Sequence, residues 1–325
     1  MSLWLPSWRR AVCLTALVAL FAVTGLAGAS PARAAPGVPA GGWQIVTMGD
    51  SYSSGEGAPP FRSTPGYGDS YASGCHRSPW GHAGFAATLS AWTGWDQANV
   101  ACSGAGVQDV VDGYRGEPSQ LDALGPRTRV VTLSVGGNDV GFTTIMAACV
   151  LQTLRLGIAC ATELARAETA LRELTSPQPG GVSRLEAFYR DVLTRAPNAR
   201  LLVTGYPLLF PTSADAAQPC FVAPRYWATI NDLTVRGNAL IRQTVERLGG
   251  TYVDLEPTFR GHGACVRAGE TPWIWQVIGI PGDIWGTGNF SFHPTAAGQL
   301  AIAGALGRAL PRARVPQPAG VAPLP

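Results

Sequence analysis

Four short segments of the 325-residue chain carry side chains suited to acyl transfer: Gly49-Asp50-Ser51, Cys102-Ser103-Gly104-Ala105, Gly136-Gly137-Asn138-Asp139 and Ser291-Phe292-His293-Pro294. A serine hydroxyl attacks a carbonyl only when a base removes its proton, and imidazole is the side chain suited to that near neutral pH. The negative oxygen that then develops needs preorganised N–H donors. The Ser51 N–H, the Gly104 N–H and the Asn138 side-chain amide are of that kind. Each segment alone is ordinary: a lone GDS tripeptide reads as a helix N-cap, and an asparagine in a glycine turn is a common left-handed residue. No GxSxG elbow and no HExxH occurs, so neither the usual α/β-hydrolase signature nor the commonest zinc-protease motif is present. The other histidines, His76, His82 and His262, lie in loop-like contexts and read as structural or solvated. Asp50, Glu56 and Asp139 read as residues that fix their loops through backbone N–H groups.

What raises the four segments above coincidence is where they stand. Short apolar runs at Gln44–Met48, Asn99–Ala101, Arg129–Val135, Arg200–Thr204 and Thr251–Asp254 have the character of buried parallel strands. Helical patterns lie between them, at Gly84–Trp92, Ala161–Leu174, Val182–Arg195, Ile230–Leu248 and Thr295–Arg308, with Pro294 placed as a first-turn proline. Strand–helix alternation predicts a three-layer α/β/α sandwich around a parallel sheet, with the active site at the carboxyl ends of the strands. Ser51, Gly104 and Asn138 each follow a strand.

The ends of the chain differ in kind. Residues 1–34 read as a signal peptide: Arg9 and Arg10 precede an apolar run from Ala11 to Ala29, and Ala32-Arg33-Ala34 offers a small-x-small cleavage site. Residues 35–42 read as a loose segment, 43–310 as the domain, and 311–325 as a proline-rich disordered tail. All 24 basic residues are arginine, and without residues 1–34 the chain holds 21 basic and 21 acidic residues. With no net charge and no basic run, nucleic acid and anionic membrane surfaces are poor partners. Six cysteines remain after the signal segment: Cys75, Cys102, Cys149, Cys160, Cys220 and Cys265. An even number in an exported chain predicts three disulfides, and none sits at CxxC spacing for zinc. Pairing in sequence order closes the shortest loops, each bridge worth roughly 2–4 kcal/mol.

Taken together and in this order, the four segments resemble the four sequence blocks of the SGNH (GDSL) hydrolases over about residues 45–305. The longer run Gly49-Asp-Ser-Tyr-Ser-Ser-Gly-Glu-Gly57, with Cys75-His-Arg-Ser78, is similar to a branch of secreted bacterial lipases and esterases held by three disulfides. The resemblance implies a flavodoxin-like five-stranded sheet of order 2-1-3-4-5. It also implies the pairs Cys75–Cys102, Cys149–Cys160 and Cys220–Cys265. In roles, it implies Ser51 as nucleophile, His293 as base, and Ser51 N–H, Gly104 N–H and the Asn138 amide as oxyanion hole. The expected activity is that of a secreted, monomeric serine ester hydrolase of the carboxylesterase, triacylglycerol lipase or phospholipase type. It needs no cofactor or metal, keeps no membrane anchor after signal cleavage, and proceeds through an acyl-enzyme.

One block departs from the family. Where many members carry an acid three residues before the histidine, this chain has Phe290, and the nearest upstream carboxylate is Asp283. The branch it resembles includes enzymes that orient the histidine with a backbone carbonyl, so the resemblance implies a Ser51–His293 dyad, its ring held by a main-chain carbonyl near Phe290, with Asp283 as an outside candidate. The segment leading to His293 holds Trp273, Ile274, Trp275, Val277, Ile278, Ile280, Trp285, Phe290 and Phe292. It predicts an apolar wall for an acyl chain, favouring lipid esters over acetylated carbohydrate; a non-catalytic binding protein would be expected to lack one of the four blocks.

Overall fold

A computed structural model of the protein describes residues 37–83, 94–157, 159–212, 220–277 and 290–312. The expected signal segment, the helix at Gly84–Trp92, Asp283 and residues 313–325 lie outside the described residues.

Five strands form one sheet: β1 (Ile45–Gly49), β2 (Gln97–Asn99), β3 (Val130–Ser134), β4 (Arg200–Thr204) and β5 (Thr251–Val253). All neighbours are parallel and the order is β2-β1-β3-β4-β5, as the resemblance implied. Side chains alternate between the faces with the strand period of two. Ile45, Val130 and Leu202 enter one apolar cluster, and Val46, Val131 and Leu201 the other. Two buried faces explain why the strands read as continuous apolar runs.

Seven helices surround the sheet among the described residues: α1 (Ser51–Ser54), α2 (Val107–Asp112), α3 (Phe142–Thr153), α4 (Cys160–Thr175), α5 (Arg184–Arg195), α6 (Trp227–Arg247) and α7 (Ala296–Ala309). Hydroxyl caps start two of them: the Ser183 side chain accepts the Glu186 N–H of α5, and the Thr295 side chain accepts the Gly298 N–H of α7. Thr295 is thus the N-cap of α7, and Pro294 stands before the helix rather than in its first turn. The second strand is displaced from the apolar run expected at Asn99–Ala101. Its paired residues are Gln97–Asn99, and the run beyond them continues along the β1 edge through bonds from Val100 N–H to Thr47 and Cys102 N–H to Gly49.

Three disulfides join Cys75 to Cys102, Cys149 to Cys160 and Cys220 to Cys265. The first ties the loop at 74–78 to the chain leaving β2, and the second joins α3 to α4. Among the described residues, no helix is long and apolar enough to cross a membrane.

Candidate active site

In a doubly wound sheet, ligands bind where the connections diverge, beyond the carboxyl ends of the strands. Here that point lies between β1 and β3, and three of the four blocks leave the sheet around it. β1 ends at Gly49, whose φ of 109° only glycine adopts easily; a Cβ there would stand 1.9 Å from the Ser134 carbonyl oxygen. The Gln120 side chain accepts the Gly49 N–H at 2.6 Å and donates to its carbonyl at 3.0 Å. Asp50 then caps α1, accepting the Tyr52 N–H at 3.0 Å, and Ser51 is the first residue of that helix.

His293 arrives from the other end of the chain. The segment before α7 is laced to residues 273–275: Phe292 N–H bonds the Trp275 carbonyl, Trp275 N–H the His293 carbonyl, and Thr295 N–H the Trp273 carbonyl. Phe292 is held at φ 63°, a left-handed conformation that costs a non-glycine residue about 1–2 kcal/mol; its carbonyl accepts the Tyr52 hydroxyl at 2.8 Å. This places His293 Nε2 2.8 Å from Ser51 Oγ. Both residues are largely buried, Ser51 at 5% and His293 at 9% exposure.

The carbonyl at the far side of the ring differs from expectation. Nδ1 of His293 lies 3.0 Å from the Ser291 carbonyl oxygen. The Phe290 carbonyl instead accepts the His293 backbone N–H at 2.9 Å, because residues 290–293 form a tight turn. A contact from Nδ1–H to an acceptor leaves Nε2 free to take a proton from Ser51.

Ser51, Gly104, Asn138 and His293 line one cleft of about 290 Å³. One amide proton of Asn138 is spent on the Ala105 carbonyl at 3.0 Å, which fixes the side chain and leaves the other for a ligand. Asp139 locks the same two loops together: Oδ2 accepts the Val107 N–H at 2.9 Å, while Oδ1 pairs with Arg184. Burial pushes its carboxyl above the ordinary value.

Asp50 is the hub beneath the serine. Its carboxylate also accepts the Ser134 hydroxyl at 2.6 Å and the Tyr206 hydroxyl, and Tyr206 in turn accepts the Gly137 N–H at 3.0 Å. The ends of β1, β3 and β4 are thereby joined next to Asn138. Burial raises the Asp50 carboxyl to about 6, against the lowering effect of its hydrogen bonds to Ser134 and Tyr206. Burial, then the Asp50 charge, hold Tyr206 protonated. Tyr206 was not among the expected site residues, although it directly follows Gly205 at the end of β4, where the strand-end rule points.

Glu56 also differs from expectation: it pairs with the buried His76 at 2.7 Å rather than with backbone N–H groups. Among the described residues, α3 adds an apolar wall that the expectation did not include. Phe142, Met146, Ala147 and Val150 line the cleft with Val277 and Phe292, whereas Trp273 stacks on His262 and Trp275 bonds the Gly57 carbonyl. Ile278, Ile280 and Trp285 lie outside the described residues. A second, apolar pocket of about 80 Å³ shares Ser51, Asn138, Phe142 and Met146 with the cleft and continues between α4 and α6 past Leu171 and Leu233.

Known proteins resemble the chain in sequence and fold. The chain is 33% identical to Lipase 1 of Streptomyces coelicolor over 290 residues, 89% of this chain and 94% of that one. A solved extracellular lipase from Streptomyces rimosus superposes with a TM-score of 0.64 at 30% identity, covering 82% of this chain and 98% of the other. A phospholipase A1 from Streptomyces albidoflavus NA297 gives a TM-score of 0.61 at 32% identity, covering 83% and 99%. A family model, the GDSL-like Lipase/Acylhydrolase family, matches residues 47–301. On this match and these relatives, the chain belongs to the GDSL-like lipase/acylhydrolase family and is a serine ester hydrolase.

Proposed function

We propose that the chain hydrolyses lipid-like carboxylic esters with Ser51 as nucleophile and His293 as general base, and that it does so outside the cell. The observation that carries this reading is the 2.8 Å contact between His293 Nε2 and Ser51 Oγ in a cleft that Gly104 and Asn138 also line. His293 takes the Ser51 proton as Oγ attacks the ester carbonyl. The Ser51 and Gly104 N–H groups and the free Asn138 amide proton receive the oxyanion. His293 then passes its proton to the leaving alcohol, an acyl-Ser51 ester remains, and a water activated by the same imidazole releases the acid. The Ser291 carbonyl holds the ring in the tautomer this requires and supports the imidazolium, a weaker partner than a carboxylate.

The acyl chain has apolar surface to occupy, along Phe142, Met146 and Val150 of α3 and into the pocket beyond Leu171. Export is supported by the arginine-led apolar leader at residues 1–34, by three disulfides and by likeness to an extracellular lipase. In this reading residues 1–34 are removed, 35–42 precede the domain, 43–310 act as a monomeric hydrolase, and 311–325 trail from it.

The test is a chain-length series of p-nitrophenyl esters on the purified protein and on Ser51→Ala. Hydrolysis is expected to extend well beyond acetate and to fall by a factor on the order of 10⁴ or more in the variant. Full activity in Ser51→Ala would sink the mechanism, and activity confined to acetate would overturn the lipid reading.

A further inference from the structure

The cleft carries one cation that the acyl chemistry does not use. Arg115 lines it beside Ser51, Gly104 and Asn138, and apart from His293 no other ionisable side chain among the described residues does so. Arg115 stands in the turn Tyr114-Arg115-Gly116-Glu117, closed by paired backbone bonds between Tyr114 and Glu117. Both central residues have positive φ, 55° at Arg115 and 79° at Gly116, as a type I′ turn requires. Such a turn favours Asn-Gly, and an arginine there is strained.

Arg115 is exposed, and its guanidinium lies against two glycines: a Cβ on Gly74 would come within 2.5 Å of Nη1. Nη2 lies against Gly104, 3.5 Å from where a Cβ of that residue would be. The Cys75–Cys102 disulfide and the Ser103 N–H bond to the Cys75 carbonyl clamp the loops on either side. Among the described residues, Arg115 spends one donor, on the Ser73 carbonyl at 3.4 Å. Its charge meets the Tyr114 ring, and no carboxylate pairs with it among the described residues. Nine other arginines do have such partners.

The geometry points to Arg115 as an anion seat next to the oxyanion hole, taking the phosphodiester of a glycerophospholipid whose acyl ester lies at Ser51. A guanidinium fork matches phosphate oxygens in pairs. In a glycerophospholipid the phosphorus sits a few bonds from the ester carbonyl, while the acyl chain runs the other way. The cleft's lining offers both kinds of surface, the Arg115 guanidinium against Gly104 and the apolar Phe142, Met146 and Val150 of α3. A neutral ester leaves the guanidinium unused. This inference rests on the reading of Ser51 as nucleophile and names the substrate class of that site.

The experiment compares kcat/KM for two monomeric esters, dihexanoyl phosphatidylglycerol and dihexanoylglycerol, below their aggregation limits so that binding to a lipid surface plays no part. The protein is expected to favour the phosphoglyceride. In Arg115→Ala the ratio of the two kcat/KM values should fall about 10- to 100-fold, the usual scale for a charge-assisted hydrogen-bonded pair. Arg115→Lys should keep part of the preference. Arg115→Asn suits the left-handed position, so it should lose the preference while melting at or above the temperature of the parent protein. An unchanged ratio in Arg115→Ala and Arg115→Asn, or no preference in the parent protein, overturns the inference and leaves the Ser51 reading intact. Activity surviving in Ser51→Ala overturns the catalytic reading, and this one with it.

Discussion

In the proposed mechanism Asn138 does two jobs with one amide. One proton holds the Ala105 carbonyl and so fixes the loop that carries Gly104; the other would receive the oxyanion. Asn138→Ala should therefore lower kcat about 10²- to 10³-fold with KM changed only a few-fold, since the oxyanion exists in the transition state and not in the bound ester. Steady-state kinetics on p-nitrophenyl butyrate checks this, and a loss confined to KM would remove Asn138 from the oxyanion hole. Ser51, Gly104, Asn138 and His293 could be picked out because their four segments stand in one order, three of them after strands and the fourth before the last helix. Tyr206 and Gln120 were not. A tyrosine hydroxyl bridging Asp50 to Gly137, or a glutamine amide pairing with Gly49, depends on chain segments that meet only in the fold. The Ser291 carbonyl escaped for a related reason: every residue has a carbonyl, and only the turn geometry selects which one faces the ring.

The strands could be read to within one residue, and β2 to within two, because the sheet has both faces covered. Helices α4, α5 and α6 carry charged outer faces, so their apolar stripes stand out. Helix α3 was missed: Phe142–Thr153 contains no charged residue and is apolar nearly all round, which gives no stripe. It packs on the core through Ile145 and Cys149 and lends Met146 and Val150 to the cleft. The loops beyond β2 are held by a different device. Arg77, 2% exposed, forks onto Glu117 at 2.5 and 3.0 Å and also donates to the Gly68 carbonyl. This pair fastens the loop at 68–77 to the turn that carries Arg115. Glu117→Gln leaves a buried guanidinium without its counter-charge and should cost about 3–5 kcal/mol. Replacing both partners, as Arg77→Met with Glu117→Leu, should cost less than the single change. Chemical denaturation of the three proteins decides it; a single variant within about 1 kcal/mol of the parent would mean the ion pair holds nothing.

At the scale of the whole molecule, two buried groups set opposing pH slopes. Burial lifts the Asp50 carboxyl from 3.8 to about 6 and lowers the His82 imidazole from 6.5 to about 4. They sit on one bridge across the fold: His82 meets the Gln299 side chain of α7 through its backbone N–H at 2.9 Å and Nδ1 at 3.2 Å, and Gln299 donates to the Tyr52 carbonyl of α1. A carboxyl that holds its proton more tightly when folded adds stability that is full below about 3.8 and is lost as pH rises through about 6. An imidazole kept neutral by folding adds stability that is full above about 6.5 and is lost as pH falls through about 4. Each shift is worth on the order of 3 kcal/mol. Between pH 4 and 6 the two slopes are of similar size and opposite sign, so the protein's melting temperature should change little there. Asp50→Asn removes the slope that falls with pH and leaves that of His82. The variant should melt lower overall, having lost the carboxylate hub, and its melting temperature should climb from pH 4 to about 6.5 while that of the parent stays flat. Thermal unfolding at half-unit pH steps tests this. Curves that run parallel for the two proteins would show that Asp50 does not bind a proton in this range, and that burial beneath Ser51 is offset by its hydrogen bonds to Ser134 and Tyr206.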